Sequence, residues 1–95
     1  MGKKEKGSRA ERELFHLLWT HFGACVRVAG SGSTSKPAPD LLASNGKRIF
    51  AIECKSLKGE KKYFSVEELG QLTLFAKTFG AEPWLAIRFD NMGWF

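Results

Sequence analysis

Two acids and a lysine stand out for where they sit. Asp40 follows Pro39 and leads into Leu41-Leu42-Ala43, while Glu53 and Lys55 flank Cys54 at the end of Ile49-Phe50-Ala51-Ile52. Charge inside apolar strand sequence is costly unless it is paired or bound to a metal. Two carboxylates brought close together, as Asp40 and Glu53 would be, make an oxygen-ligand site for a hard cation such as Mg²⁺. The Cys54 backbone carbonyl lies between Glu53 and Lys55 and offers a further oxygen. A lysine beside such a site can orient or polarise an attacking water, or stabilise the charge of a phosphorane-like transition state. The chemistry this combination suits is hydrolysis of a phosphodiester with one or two metal ions. Each part also has a bland reading, Asp40 as an Asx-turn residue and Glu53 with Lys55 as an exposed same-face ion pair. The conjunction of Pro-Asp, hairpin and Glu-x-Lys is what favours a site.

The elements that must hold these residues can be read from periodicity and punctuation. Asn45-Gly46 is a strong turn signal, so residues 40–43 and 47–55 make a hairpin around Ser44-Asn45-Gly46. Alternation along the second strand puts Phe50, Ile52 and Cys54 on one face and Ala51, Glu53 and Lys55 on the other. Upstream, residues 1–7 read as a flexible basic arm, and Ser8 with Glu11 forms a capping box for a first helix that ends at Gly23. Ala10, Leu14, Leu17 and Leu18, with Phe15 and Phe22 one turn round, give that helix its apolar stripe. Glu11 shares a line with Phe15, Leu18 and Phe22 at the end of the inward face, and on spacing alone it reads first as a cap. Residues 25–29 form a first strand in which Arg27 projects away from Val26 and Val28. Residues 30–39 are a loop whose hydroxyl residues, backbone N–H groups and Lys36 suit a phosphate backbone as well as they suit a plain linker. After a charged loop at residues 58–62, Ser65 and Glu68 form a second capping box, with Phe64 and Leu69 as a hydrophobic staple. That second helix carries Leu69, Leu72, Ala76 and Phe79 and stops at Gly80; residues 83–87 are a strand, and Gly93 opens another. The order α-β-β-β-α-β-(β) predicts an α/β fold, a central mixed β-sheet flanked by helices.

Ninety-five residues, 43% of them hydrophobic and including eight Phe and three Trp, make one domain able to fill a core. No apolar run approaches the roughly 20 residues of a membrane span, and no signal peptide is evident, so the expectation is a soluble intracellular protein. Cys25 and Cys54 lack metal-ligand spacing and read as buried reduced thiols ahead of a disulfide. The net charge of +5 suits a polyanion, and the basic residues cluster early (Lys3, Lys4, Lys6, Arg9, Arg12) and again after the Glu-x-Lys (Lys58, Lys61, Lys62).

The chain resembles the archaeal-type Holliday junction resolvases, a family of the PD-(D/E)xK restriction-endonuclease-like superfamily. The resemblance is carried by residues 7–14, 26–31, 37–42 and 52–55, then by Gln71-Leu72, Phe79-Gly80, residues 83–86 and residues 91–94, in order along nearly the whole chain. It implies a restriction-endonuclease-like fold in which Glu11, Asp40, Glu53 and Lys55 form the active site. Asp40 and Glu53 would be ligands of Mg²⁺ (or Mn²⁺ in its place), with Glu11 completing the site, so that its capping role need not be its only one. Ser31 matches a loop serine implicated in catalysis and DNA contact, and Arg12 and Arg27 match basic positions. Arg9, Lys36 and Lys58 are further candidates for DNA contact. The implied activity is paired, symmetric nicking of four-way junction DNA in recombination and repair, by a homodimer at the nucleoid. Leu72, Phe75, Phe79, Trp94 and Phe95 are the interface candidates, with ordinary core the favoured role for Leu72 and Phe79. Many family members continue past the position of Phe95 with another strand and helix. The competing readings are another endonuclease of the same superfamily acting on ordinary duplex, and a basic DNA-binding module without catalysis.

Overall fold

The computed structural model describes residues 3–28, 36–57, 65–89 and 93–94, of which 3–8, 56, 57 and 89 are described by backbone alone. Helix α1 (Lys3–His21) precedes strands β1 (Ala24–Arg27), β2 (Leu41–Ser44) and β3 (Ile49–Leu57); helix α2 (Val66–Phe79) then leads to β4 (Glu82–Phe89) and β5 (Gly93–Trp94). The strands lie side by side in chain order. The pairs β1–β2, β2–β3 and β4–β5 are antiparallel, and β3–β4 is parallel. The sheet is therefore mixed, as the element order predicts, and α2 is the crossover that a parallel pair requires.

Alternation along β3 divides the core. Phe50 and Ile52, with Cys25, Leu41 and Ala43, pack against Leu14 and Leu18 of α1. Ala51, with Leu42 and Leu85, packs against Leu72 and Ala76 of α2. The two helices thus cover opposite faces of one sheet. Leu41 is completely buried, with 0% of its surface exposed. Leu41→Ala is expected to lower the unfolding free energy by about 2–5 kcal/mol, read as a shifted denaturant midpoint at unchanged slope. A loss below about 1 kcal/mol would contradict this packing.

Several boundaries differ from the sequence expectation. Helix α1 starts at Lys3, so residues 3–7 of the expected arm are helical and Ser8 lies inside the helix instead of capping it. The run Lys3-Lys4-Glu5-Lys6 consists of good helix formers, and a single Gly7 weakens a helix by only about 1 kcal/mol. The second cap is as expected: Ser65 Oγ accepts from the Glu68 N–H, and Glu68 Oε1 accepts from the Ser65 N–H, while Gly80 closes the helix at φ 87°. On α2 only Leu72 and Ala76 are buried. Phe79 is not core: it is 53% exposed and stacks on Phe75 at 5.3 Å. Leu17 of α1 is likewise exposed, while Ala10, Leu14 and Leu18 are buried. A helix lying on a five-stranded sheet turns only a narrow stripe inward, which is narrower than the apolar face its sequence offers.

Candidate active site

The β2–β3 hairpin brings the acids together. Asn45 Oδ1 accepts from the Lys47 and Arg48 N–H groups, and Ser44 Oγ accepts from the Gly46 N–H, which fixes the turn. Gly46 takes φ 93°, a left-handed conformation that a side chain would resist. The resulting register pairs Leu41 with Ile52, one residue short of the two acids. Asp40 is then held on three sides. Its N–H donates to the Ile52 carbonyl at 3.0 Å, its carbonyl accepts from the Val28 N–H at 2.9 Å, and its Oδ2 accepts from the Cys54 N–H at 2.9 Å. Asp40 therefore clasps the β3 backbone on both sides of Glu53. An ionised carboxylate has about four acceptor positions, and the Cys54 amide takes one of those that Asp40 offers.

Glu53 and Lys55 share the α2 face of β3, as alternation requires. The Glu53 carboxyl is pushed up to about 7, first by burial and then by the negative charge of Asp40, with Lys55 pulling the other way. Lys55 Nζ reaches Glu68 Oε2 on the first turn of α2 at 3.3 Å. Glu68, whose carboxyl is held below its ordinary range by the Ser65 backbone N–H and then by Lys55, is the acid that periodicity identified only as a cap. Its second role has no local sequence signal, because β3 and α2 meet only in the tertiary fold. Beneath the site Cys54 is a free thiol pushed up to about 12 by burial, and Cys25 is a free thiol pushed up to about 11 by the same cause. Both remain protonated and unreactive at neutral pH.

Glu11 stands on the α1 side, where it pairs with Arg27 at 3.2 Å. Its charge still contributes to raising Glu53. Among the described residues, no three His, Cys, Asp or Glu side chains form a metal-binding group. Asp40 and Glu11 both bear on Glu53 electrostatically, Asp40 from the start of β2 and Glu11 from α1, where its carboxylate is engaged by Arg27. Arg9, Arg12 and Lys36 are exposed. Ser31 and Lys58 lie outside the described residues. A second network that the sequence did not suggest joins Glu13 Oε1 to Arg88 Nε at 2.9 Å and to Trp94 Nε1 at 2.6 Å, tying α1 to β4 and β5. No helix among the described residues is long and apolar enough to cross a membrane.

A mixed sheet with helices on both faces, carrying two acids and a lysine where β2 and β3 meet, is an α/β fold of the nuclease type. Residues 2–95 match the family model described as archaeal Holliday junction resolvase (Hjc). The chain belongs to that family. It is 44% identical over 91 residues to the crossover junction endodeoxyribonuclease Hjc of Archaeoglobus fulgidus, covering 96% of this chain and 67% of that protein. It is 38% identical over 89 residues to the enzyme of the same name from Methanocaldococcus jannaschii, covering 94% and 63%. The crystal structure of A. fulgidus Hjc superimposes with a TM-score of 0.86 at 43% identity, covering 90% of this chain and 70% of that one. The chain thus spans about two thirds of the length of these relatives.

Proposed function

We propose that this chain is a structure-selective DNA endonuclease that resolves four-way junctions by paired symmetric nicks during recombination and repair. The observation that carries the reading is that Asp40 grips the β3 backbone on both sides of Glu53, through the Ile52 carbonyl and the Cys54 N–H, which sets two carboxylates that repel one another at the same end of the hairpin. A hard divalent cation relieves that repulsion, and the donor set is the kind Mg²⁺ prefers: carboxylate oxygens with a backbone carbonyl beside them. Asp40 and Glu53 would hold the ion, the Cys54 carbonyl offering a further oxygen and Glu11 acting from the neighbouring helix. Mn²⁺, with similar ligand preferences, would substitute. When bound, the ion supplies charge neutralisation at the scissile phosphate. Lys55 orients the attacking water or stabilises charge on the phosphoryl oxygens. Glu53 must be ionised to hold the ion, which therefore competes with the proton that burial and Asp40 favour on its carboxyl. Arg9, Arg12, Arg27, Lys36, Lys58 and Ser31 would contact the DNA backbone, which positions the substrate without reading its sequence.

The deciding experiment sets a synthetic four-way junction beside a duplex of the same sequence, each with Mg²⁺ and with EDTA. Symmetric Mg²⁺-dependent nicks in the junction alone are expected. Equal cutting of both substrates would indicate a nuclease for ordinary duplex, and binding without cutting under any divalent metal would leave only a DNA-binding module.

A substrate with two-fold symmetry calls for a symmetric dimer presenting one site per subunit. The exposed Phe79, stacked on Phe75, gives α2 an apolar outer patch suited to that contact. Phe79→Glu is expected to turn a dimer into a monomer in sedimentation equilibrium and to uncouple the two nicks, leaving singly nicked junctions. A dimer of unchanged affinity would remove this patch from the interface. Junctions arise in chromosomal DNA, so the working compartment is the cell interior at the nucleoid.

A further inference from the structure

Lys55 is the one cation of the proposed catalytic group, and its side chain is long and flexible. A lysine ammonium is a compact charge on a four-carbon stem, so its usefulness depends on something fixing where the charge sits. The structure supplies an anchor. Glu68 Oε1 accepts the Ser65 N–H at 3.1 Å, and Glu68 Oε2 takes Lys55 Nζ at 3.3 Å. One carboxylate thus spans two tasks, with one oxygen locked into the helix cap and the other turned toward β3. The cap is itself closed from the other side, since Ser65 Oγ accepts the Glu68 N–H at 2.9 Å. The two oxygens of one carboxylate therefore tie Lys55 to the first turn of α2. We propose that Glu68 is a positioning residue that orients Lys55 for catalysis through the capping box of α2; this rests on the reading of Lys55 as a catalytic residue.

The cap and the tether can be separated chemically. Glutamine at this position of a capping box still accepts the N-cap amide, so Glu68→Gln keeps the helix start while removing the anionic partner of Lys55. Misplacement of a catalytic group by about 1 Å can lower a rate by about 10²-fold without disturbing substrate binding. The experiment compares the full chain with Glu68→Gln, Lys55→Ala and the double variant. It measures thermal midpoint, junction affinity without divalent metal, and single-turnover cleavage with Mg²⁺. Expected for Glu68→Gln are a midpoint lowered by no more than a few degrees, because the anion at the start of α2 is mildly stabilising, with unchanged junction affinity and cleavage slowed by about 10–100-fold. The double variant is expected to be little slower than Lys55→Ala alone, because the main action of Glu68 runs through the lysine and its direct effect on Glu53 is minor. Glu68→Asp, too short to serve both tasks, should recover less than half of the lost rate.

Cleavage by Glu68→Gln at the wild-type rate beside an inactive Lys55→Ala would overturn this inference alone. So would multiplicative losses in the double variant, which would mean that Glu68 acts on the site independently of Lys55. A fully active Lys55→Ala would overturn both this inference and the reading on which it rests.

Discussion

Glu53→Gln is expected to lower Mg²⁺-dependent cleavage by on the order of 10³-fold or more while raising the stability of the metal-free protein. The first effect follows from removing one of two proposed anionic ligands, since charge neutralisation by a bound ion is worth several kcal/mol and each 1.36 kcal/mol is a tenfold change in rate. The second follows from the position of Glu53. Its carboxyl ionises at about 7 in the fold, against an ordinary 4.5, because burial and the charge of Asp40 both disfavour the anion. Between those two values the folded state holds a proton that the unfolded chain has released. The stability this confers is fully present below about pH 4.5 and is lost as pH rises through about 7. On a fully buried carboxyl such a shift would correspond to about 3 kcal/mol; discounted for the partial exposure of Glu53, about 1–2 kcal/mol remains. A neutral glutamine escapes that loss, so at pH 8 without metal the variant should melt several degrees higher. In the wild type at sub-saturating Mg²⁺, cleavage should rise with pH, because the ion competes with the proton on Glu53. A glutamine variant that melts lower than wild type at pH 8 would show that the native site does not strain the carboxylate.

Asp40 should behave in the opposite way for stability and in the same way for catalysis. Its Oδ2 accepts the Cys54 amide, while its own backbone is tied to Val28 and Ile52. Asp40→Ala removes the acceptor and leaves that partly buried N–H without it, for an expected loss of about 1–3 kcal/mol in addition to inactivation. Asp40→Asn keeps a side-chain oxygen for the amide and should retain most of the stability, yet it removes a charged ligand and should also slow cleavage by on the order of 10³-fold. It should further lower the pH at which Glu53 ionises, because the second cause of that shift is gone. A carbonyl carbon NMR titration of Glu53 in the two proteins measures this directly. An unchanged Glu53 titration would show that burial alone holds it up, and an Asp40→Asn protein as unstable as Asp40→Ala would show that the amide contact contributes through its charge.

The two acids illustrate how far the sequence alone reaches. Asn45-Gly46 sets the hairpin, and once the hairpin is set, strict alternation decides that Glu53 and Lys55 share a face with Cys54 beneath them; local rules suffice for that. The same rules find the Ser65–Glu68 cap and the stop at Gly80, because capping acts over a single turn. They fail at the start of α1, where competing local signals had to be weighed and the helix formers ahead of Gly7 prevailed. They also overstate the buried stripe of α2, since how much of a helix is covered depends on the sheet beneath it, leaving Phe79 outside.

The sequence by itself determined the mixed α/β architecture, the Pro-Asp…Glu-x-Lys centre and the basic balance that suits DNA. Only the tertiary structure decided which charges meet across elements. It seats Asp40 on the Cys54 amide, pairs Glu11 with Arg27, ties Lys55 to Glu68, and joins Glu13 to Arg88 and Trp94. The physical reason is range. Periodicity and turn chemistry are local and printed in neighbouring residues, whereas an ion pair between residues 13 to 75 positions apart exists only once the sheet has fixed both backbones.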